Sequence, residues 1–473
     1  MAGEILSDRL ADYACSITFE KLKADHVAKM KVFLLDWLGS AYAGKDLPPV
    51  GMMRKVTRSL GGTPEATSIP DGVKTNCLLA SLVNGASSHI VEMDDLHRES
   101  IFHPAASILP AVLAAGERER ISGKDLILAI SIGYEVGIRV ALAAGPSHYR
   151  FWHTTGTCGT FGAAAGAAKA MHLKEEEVAW AIGSAGTQAA GLWEFLGESA
   201  MSKQLHTGKA AMNGLLAALL AKEGFTGARR ILEGEKGFFR ATSEDFDENR
   251  CIQDLGKIFH SERNSIKYHA SCGHTHSAID ALLLATGGKT LLPNDVETVN
   301  LWVYQAAIDL LGKIEPKTPY LAKFNLPFCL ATAMRYGHVQ SGDFTLARLE
   351  DNDLKELMKK IKVKPDAGLT KAYPRKWPAR VTIILKGGRS LDGATEYPKG
   401  DPENPLSEGE LIAKFKSLTE GMLPSRQADA IIDRVMHLEL MADVNELLEK
   451  QKETSSWHKT AMGNPLFKPS DGD

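Results

Sequence analysis

The sequence predicts a mainly α protein with a large all-helical domain and a smaller α+β domain. Its 473 residues exceed what one hydrophobic core usually supports, so two domains are expected. From about residue 5 to 265, apolar residues recur at the three- and four-residue spacing of helices. After about residue 268, β-branched and aromatic residues become frequent, which is typical of strands.

The first domain is predicted to consist of consecutive helices. Segment 25–44 repeats apolar residues at helical spacing and ends at Gly44. Segments 159–173 and 209–224 are rich in alanine and glycine. Because small side chains let helix axes approach closely, we expect these two segments to be tightly packed helices.

The second domain is predicted to combine strands with helices. Segment 295–304 is β-branched and aromatic, and Val381, Ile383 and Leu385 alternate with other residues before the glycine-containing turn 386–389. This pattern predicts a β-hairpin. Helical patterns lie near 270–285, 320–337 and 351–362.

The domain boundaries follow from composition. Segment 397–407 is rich in proline, glycine and aspartate, and helical patterns resume after it. We therefore predict that the carboxy-terminal helices return to the first domain. The predicted ranges are 1–268 with 403–473 for the helical domain, and 269–402 for the α+β domain.

Composition narrows the class of protein. The net charge is -3, from 55 Lys and Arg against 58 Asp and Glu, without the basic excess of proteins that bind mainly nucleic acid or anionic lipid. The acidic start does not fit a signal peptide, and no uncharged apolar stretch reaches the roughly 18 to 20 residues of a membrane span. The six scattered cysteines include no C-x-x-C, which favours reduced thiols. We expect a cytoplasmic protein without nucleic-acid or membrane partners.

Common nucleotide-binding and hydrolase motifs do not fit. Gly156, Gly159 and Gly162 have the wrong spacing for a dinucleotide fingerprint, and Leu283 stands where a Walker motif before Lys289 requires glycine. The sequence contains no H-E-x-x-H, and its I-G-S-A-G segment lacks the first glycine of a nucleophile elbow.

The segment 92–104, E-M-D-D-L-H-R-E-S-I-F-H-P, concentrates acidic and imidazole groups between apolar segments. Its titratable residues include Glu92, Asp94, Asp95, His97 and His103. One interpretation is a solvated loop with capping aspartates. The other is an acid–base site, because a neighbouring carboxylate orients a histidine ring and raises its pKa.

Three further polar groups of residues occur in apolar surroundings. They contain His153; Lys203 with His206; and Lys267 with His269, Cys272, His274 and His276. On a helix, Lys203 and His206 would share one face because they are three residues apart. Together, lysines and imidazoles suit proton transfer on an anionic substrate, since lysines neutralise carboxylates while histidine and aspartate move a proton.

A metal site is the alternative interpretation of one of these groups. On a strand, Cys272, His274 and His276 would point to the same side, and all three are ligand types. No second ligand pair at fixed spacing accompanies them. We therefore expect neither a metal nor a cofactor.

Several segments, in this order, resemble the MmgE/PrpD family. They are DDLHRESIFHPAASILPAVLAAGE, FWHTTGTCGTFGAAAGAAKAM, MSKQLHTGKAA, KYHASCGHTHSAIDA and YPKGDPENPLS. The family includes 2-methylcitrate dehydratase, cis-aconitate decarboxylase and iminodisuccinate epimerase, all metal-independent enzymes acting on small polycarboxylates. The resemblance implies a helical domain built from both chain ends, a smaller α+β lid domain, a cleft between them and a homodimer.

The resemblance also implies site residues. The catalytic set is Asp94, His103, His153, Lys203 and Lys267. The substrate contacts are His97, His206, Cys272 and His274. The sequence departs from the family pattern at three positions, where the family often has Asp for Glu92, Thr for Leu96 and Tyr for Phe328.

These features predict a lyase of the dehydratase type. His103 or His153 would take the proton α to a carboxylate, lysines would stabilise the developing charge, and an acid near Asp94 would assist hydroxide departure. Returning the proton to the opposite face would instead give an epimerase. The departures at Leu96 and Phe328 disfavour a decarboxylase. A metalloprotein and a carboxylate-binding protein without turnover are the rivals from other classes.

Overall fold

In a computed structural model, residues 4–198, 200–311 and 314–450 are described. The chain is 59% helical and has 20 α-helices within the described ranges, so the predicted mainly α class is confirmed. Contacts divide the chain into two compact units. The helical unit comprises residues 4–90, 100–264 and 407–450, and the sheet unit comprises 91–99 and 265–406.

The helical unit contains thirteen of the helices of the described chain. They are α1 Leu6–Ser16, α2 Ala24–Ala43, α3 Pro48–Leu60, α4 Cys77–Ile90, α5 Pro104–Glu119, α6 Gly123–Ala144, α7 Thr154–Ala170, α8 Glu175–Gly186, α9 Phe195–Glu198, α10 Ser202–Lys222, α11 Phe238–Thr242, α19 Glu408–Thr419 and α20 Ser425–Met436. Helix α7 lies at the centre, in contact with α5, α6, α8 and α10.

Glycine lets the central helices approach closely. A Cβ atom on Gly162 of α7 would lie 2.7 Å from the carbonyl oxygen of Gly133 on α6. One on Gly214 of α10 would lie 2.5 Å from the Cβ of Ala163 on α7. Since real Cβ atoms do not approach so closely, side chains at these positions would push the helices apart. The tight packing expected from the alanine- and glycine-rich segments is therefore present.

Helix α6 is long and apolar enough to cross a membrane by length and composition alone. The most apolar part of this helix is wholly buried within the protein. It also carries Glu135 and Arg139, whose buried side chains form an ion pair with a 3.3 Å separation. Paired charges and complete burial are both typical of the core helix of a globular unit.

The helical unit is not all-helical, so that detail of the prediction is wrong. Strands β1 (Ala66–Ser68) and β2 (Val73–Thr75) pair antiparallel, with Ala66 opposite Thr75. Gly72 in the connecting turn has φ of 65°, a conformation that glycine adopts without steric cost. Three-residue strands are too short to show a recognisable alternation in the sequence.

The sheet unit contains helices and most of the remaining strands. The helices are α12 Gly273–Thr286, α13 Gln305–Leu311, α14 Pro319–Ala322, α15 Leu326–Tyr336, α16 Leu346–Leu349, α17 Asn352–Lys360 and α18 Ala367–Ala372. The strands are β3 Leu96–His97, β5 Val296–Val303, β6 Ile361–Pro365, β7 Ala379–Leu385 and β8 Ser390–Thr395. A short strand, β4 (Asn264–Ser265), lies where the two units meet in the sequence.

Four of these strands form one sheet in the order β6-β5-β7-β8. Strands β5 and β6 are parallel, whereas β5 with β7 and β7 with β8 are antiparallel. The predicted hairpin is present, with Gly387 and Gly388 at positive φ in its turn. Val381 and Ile383 are fully buried, and Leu385 is half-buried. Helix α12 packs on β7 and β8.

The contact units differ from the predicted domain ranges at both boundaries, where residues 265–268 and 403–406 belong to the sheet unit, and in one internal segment. Residues 91–99 belong to the sheet unit, although the sequence analysis places them in the helical domain. From sequence order alone, a short segment is expected to belong to the same domain as its neighbours in the chain. Segment 91–99 instead makes contacts with residues more than 150 positions away, as in the Lys267–Glu92 pair. Such long-range pairing leaves no local signal. The carboxy-terminal part of the predicted range 403–473 lies outside the described residues.

The close approach of α6 and α7 gives a first prediction. Gly162→Ala should lower the free energy of unfolding by about 1–3 kcal/mol, as overpacking of a filled core does. The control is Gly51→Ala on α3, where no heavy atom lies within 4 Å of an added Cβ and alanine should be neutral or slightly stabilising. Urea unfolding of both variants measures the difference, and equal stability of Gly162→Ala and wild type would contradict this packing.

Candidate active site

Imidazoles of the helical unit gather at the ends of helices. His103 and His153 are the N-cap residues of α5 and α7. His89 lies in the last turn of α4, and His206 lies with Lys203 in the first turns of α10. We call these five residues the imidazole cluster. Proline follows His103 at the first helical position, which favours a helix start there.

The cluster is tightly packed. The Nδ1 atoms of His153 and His206 are 3.2 Å apart, which is a hydrogen-bond distance. The ring centroids of His89 lie 5.1 Å from His103 and 5.6 Å from His153. Lys203 is buried. Four of the residues predicted from the sequence, all except His89, are thus brought together within one unit.

Burial keeps the imidazoles of His153 and His206 neutral. Desolvation, followed by the positive charge that His89, Lys203, His206 and His103 can carry, holds the pKa of His153 well below its usual value. Desolvation and the same kind of neighbours lower the pKa of His206 to about 4. At neutral pH a neutral imidazole has one ring nitrogen with a free lone pair, so either residue can accept a proton.

A second set of titratable groups lies in the sheet unit. The Lys267 ammonium is 3.1 Å from Oε2 of Glu92 and 4.0 Å from Oδ1 of Asp94. The hydroxyl of Tyr320 donates to the other Glu92 oxygen at 3.0 Å. We call these four residues the carboxylate–lysine cluster. Glu92 has φ of 58°, a left-handed conformation that costs on the order of 1–2 kcal/mol for a residue with a side chain.

Lys267 remains an ammonium despite complete burial. Desolvation alone would lower the pKa of Lys267, but the charges of Glu92 and Asp94 outweigh it and raise that pKa. The strained backbone of Glu92 therefore holds a carboxylate against a buried cation. This combination of strain and buried charge is typical of functional sites.

His274 has a different environment. It lies in the first turn of α12, where its Nδ1 is 2.6 Å from the hydroxyl of Tyr304 and its ring stacks on Trp377 at 4.2 Å between centroids. Burial, followed by the charge of Lys267, lowers the pKa of His274 to about 3. His274 is thus a neutral side chain fixed by an aromatic wall.

The strand geometry of the metal hypothesis is wrong. His274 and His276 lie on α12, and Cys272 is its N-cap residue. Residues two apart on a helix point in widely different directions, unlike residues two apart on a strand. His274 bonds to Tyr304, and Nε2 of His276 lies 3.2 Å from the carbonyl oxygen of Ser271.

The remaining predicted residues are buried in the sheet unit. His97 lies on β3, and the backbone N–H of Cys272 donates to the carbonyl oxygen of Lys323 at 2.9 Å. Contact of either residue with a substrate stays a prediction.

Sequence reasoning missed several residues of these clusters. His89 lies in an apolar helix only three residues before the acidic segment, and that proximity was the available signal. Tyr320 and Tyr304 are distant in sequence from their partners Glu92 and His274. No local motif marks them.

The chain belongs to the MmgE/PrpD family. The MmgE/PrpD N-terminal domain matches residues 8–250, and the MmgE/PrpD C-terminal domain matches residues 269–439. The family resemblance seen in the sequence is therefore confirmed.

Three relatives match most of the chain. A cis-aconitate decarboxylase of Aspergillus terreus is 26% identical over 94% of this chain and 95% of its own length. The cis-aconitate decarboxylase of Mus musculus is 25% identical over 90% of each chain. The cis-aconitate decarboxylase of Homo sapiens is 24% identical over 89% of each chain.

The buried histidines predict how stability depends on pH. Burial lowers the pKa of His26, His148 and His206 to about 4, and that of His274 to about 3, from an ordinary value of 6.5. Below pH 6.5 the unfolded chain binds more protons than the folded chain, so stability should fall as pH falls from 6.5 towards 3.

His274→Phe should make this loss shallower, by at most about 1.4 kcal/mol per pH unit, because it removes one titrating group and keeps an aromatic ring. Urea unfolding between pH 7 and 4 measures the slope, with exposed His437→Phe as the control. An unchanged slope for His274→Phe would show that His274 is not neutral in the folded protein.

Proposed function

We propose that the protein is a metal-independent lyase that removes the proton α to a carboxylate of a small di- or tricarboxylate. The observation that carries the proposal is the imidazole cluster, in which a neutral, buried His153 is hydrogen-bonded to a neutral, partly buried His206 beside the buried Lys203. A neutral imidazole is a suitable base, and a buried lysine suits the negative charge that develops on the carboxylate. The named activity of the relatives, cis-aconitate decarboxylase, supports a lyase.

In this mechanism the helical unit supplies the base and the cation. His153 accepts the α proton, and the Lys203 ammonium stabilises the resulting aci-carboxylate. Glu92 and Asp94 already balance the charge of Lys267. We assign the substrate carboxylate to Lys203, and to Asp94 the role of balancing the charge of Lys267. A departing hydroxide then receives its proton from Nε2–H of His153, which has taken that proton from the substrate. His103 is the alternative base.

Dehydration is the reaction we place first. Decarboxylation is the second candidate, because the three relatives described above are named for it. Against it, Leu96 and Phe328 stand where the family often has hydroxyl side chains, and Phe328 is buried against Phe344 with ring centroids 5.8 Å apart. Epimerisation begins with the same proton abstraction. The proposal also includes a homodimer and a lid role for the sheet unit, as expected for the family.

A substrate panel in deuterated water tests the proposed reaction. Purified protein in EDTA-containing buffer is incubated with 2-methylcitrate, citrate, cis-aconitate and iminodisuccinate, and proton NMR follows each compound. We expect a new vinyl signal from a hydroxylated substrate, which reports loss of water. Loss of carbon dioxide from cis-aconitate would instead establish the decarboxylase, and α-proton exchange alone would establish the epimerase. Calorimetric binding without any of these changes would support a binding protein and contradict the proposal.

Lys203 provides a residue-level prediction. Lys203→Met should lower kcat/KM on the active substrate by about 100- to 1000-fold, which is the usual effect of removing one preorganised charge from a transition state. The matched control is Lys222→Met, at the other end of α10, where the ammonium is 2.8 Å from Glu119. Steady-state kinetics compares the two variants, and a kcat/KM for Lys203→Met equal to that of the control would remove Lys203 from the mechanism.

A further inference from the structure

The contact between His153 and His206 limits which of their ring nitrogens can carry a proton. Their Nδ1 atoms are 3.2 Å apart, and a hydrogen bond between two ring nitrogens requires a proton on one of them and a lone pair on the other. A neutral imidazole carries a single N–H. The tautomer of each ring is therefore tied to that of its partner.

The surroundings hold the pair in place. The backbone N–H of His153 donates to the carbonyl oxygen of Gly191 at 2.9 Å, and its ring lies 4.7 Å from that of Trp193. A Cβ on Gly191 would lie 3.2 Å from Cγ and Nδ1 of His206, so a larger residue would crowd that ring. The Phe195 ring meets His206 edge-on at 5.5 Å. Both rings are thus fixed by contacts independent of any substrate.

The two rings differ in access to water. His153 is 1% exposed, whereas His206 is only partly buried. A proton that moves from His153 to His206 therefore moves towards solvent. The difference in exposure therefore sets the direction of proton transfer, from His153 to His206.

We propose that His206 is a positioning residue, which accepts the Nδ1 proton of His153 and relays it towards solvent. This inference rests on the proposed function. With Nδ1–H of His153 donating to Nδ1 of His206, Nε2 of His153 keeps its lone pair and is the base. The opposite arrangement would put a proton on Nε2 of His153 and remove that base. This role differs from the substrate contact that sequence analysis predicts for His206.

The proton steps balance. The substrate C–H proton bonds to Nε2 of His153 while the electron pair of the C–H bond moves into the aci-carboxylate. The Nδ1–H proton of His153 then passes to Nδ1 of His206. His206 becomes an imidazolium that releases its Nε2 proton to water, and His153 remains neutral with Nε2–H. The Nε2 proton of His153 next passes to the departing hydroxide and forms water. Nε2 of His206 takes a proton back from water while the shared proton returns to Nδ1 of His153, so both rings are again neutral and in their starting tautomers.

Neighbouring charges limit the lifetime of the imidazolium. His89, His103 and Lys203 surround His153, and Lys209 and Lys203 act on His206. These groups and burial lower the pKa of both rings, which favours release of the extra proton over its retention. The pair therefore returns to the neutral state at neutral pH.

Kinetics of two substitutions test the relay. His206→Phe keeps an aromatic ring but removes the acceptor, and should lower kcat at least 100-fold while KM changes less than about 3-fold, as expected for a lost tautomer-setting partner. His206→Asn can accept from Nδ1–H through its side-chain oxygen but cannot carry the proton onward, so kcat should recover only in part, to about 10-fold below wild type. The control is His172→Asn, at an exposed position of the same unit. A raised KM with unchanged kcat in His206→Phe would overturn the relay in favour of a substrate contact.

Nitrogen NMR of 15N-histidine-labelled protein tests the pair without any substrate. The His153 signals are assigned by their loss in His153→Asn. We expect the Nδ1–H tautomer of His153 in wild type and in His206→Asn, and its loss in His206→Phe. The Nε2–H tautomer in wild type would overturn the assignment. If the substrate panel finds no turnover but this tautomer is observed, the proposed function fails while the pairing of the two rings stands.

Discussion

The close backbone approach of four helices is the constraint on which the helical unit depends. Glycine makes it possible on both sides of the core, because Gly162 faces the carbonyl oxygen of Gly133, and a Cβ on Gly85 of α4 would lie 2.9 Å from the Cα of Gly208 on α10. Helices α4, α7 and α10 thereby come close enough for their termini to share one polar cluster. His89, His153 and His206 meet there because the apolar helix bodies determine where the ends lie. The packing of small residues is thus the cause of the site geometry, and the histidines occupy positions that the packing creates.

The two units treat buried titratable groups in opposite ways. In the helical unit, desolvation and neighbouring cationic groups keep His153 and His206 neutral. In the sheet unit, Glu92 and Asp94 keep Lys267 charged, although burial opposes that charge. Two carboxylates beside a buried ammonium offset the electrostatic cost of burying its charge, and both belong to the protein itself. A neutral imidazole can accept and release a proton, so His153 and His206 can change protonation state during a reaction. The capacity for proton transfer therefore belongs to the imidazole cluster more than to the carboxylate–lysine cluster.

The sequence predicts those features that depend on local periodicity and misses those that depend on long-range contacts. The hairpin turn 386–389 has its glycines at positive φ as the pattern indicates, and Lys203 and His206 lie on one helix as their spacing requires. Strands 66–68 and 73–75 contain too few residues for a period. Segment 91–99 packs with the sheet unit and not with its neighbours in the sequence. The local signal that points to a function for this segment is its acidic composition. The family resemblance names candidate site residues, but it cannot specify that Glu92 bonds to Tyr320 or that His153 bonds to His206.

The proton chemistry alone does not determine the reaction. An imidazole that removes an α proton in an elimination can also deliver a proton to the carbanion left by decarboxylation, because both steps use the same nitrogen in opposite directions. The outcome therefore depends on which substrate group is held and which is left to depart. In this chain Glu92 reaches Lys267 and the hydroxyl of Tyr320 at the same time, so the Lys267 charge is committed to protein carboxylates. In the proposed mechanism, a substrate carboxylate therefore binds to Lys203. The cis-aconitate decarboxylases are about a quarter identical to this chain, so their named reaction does not by itself decide which group departs here.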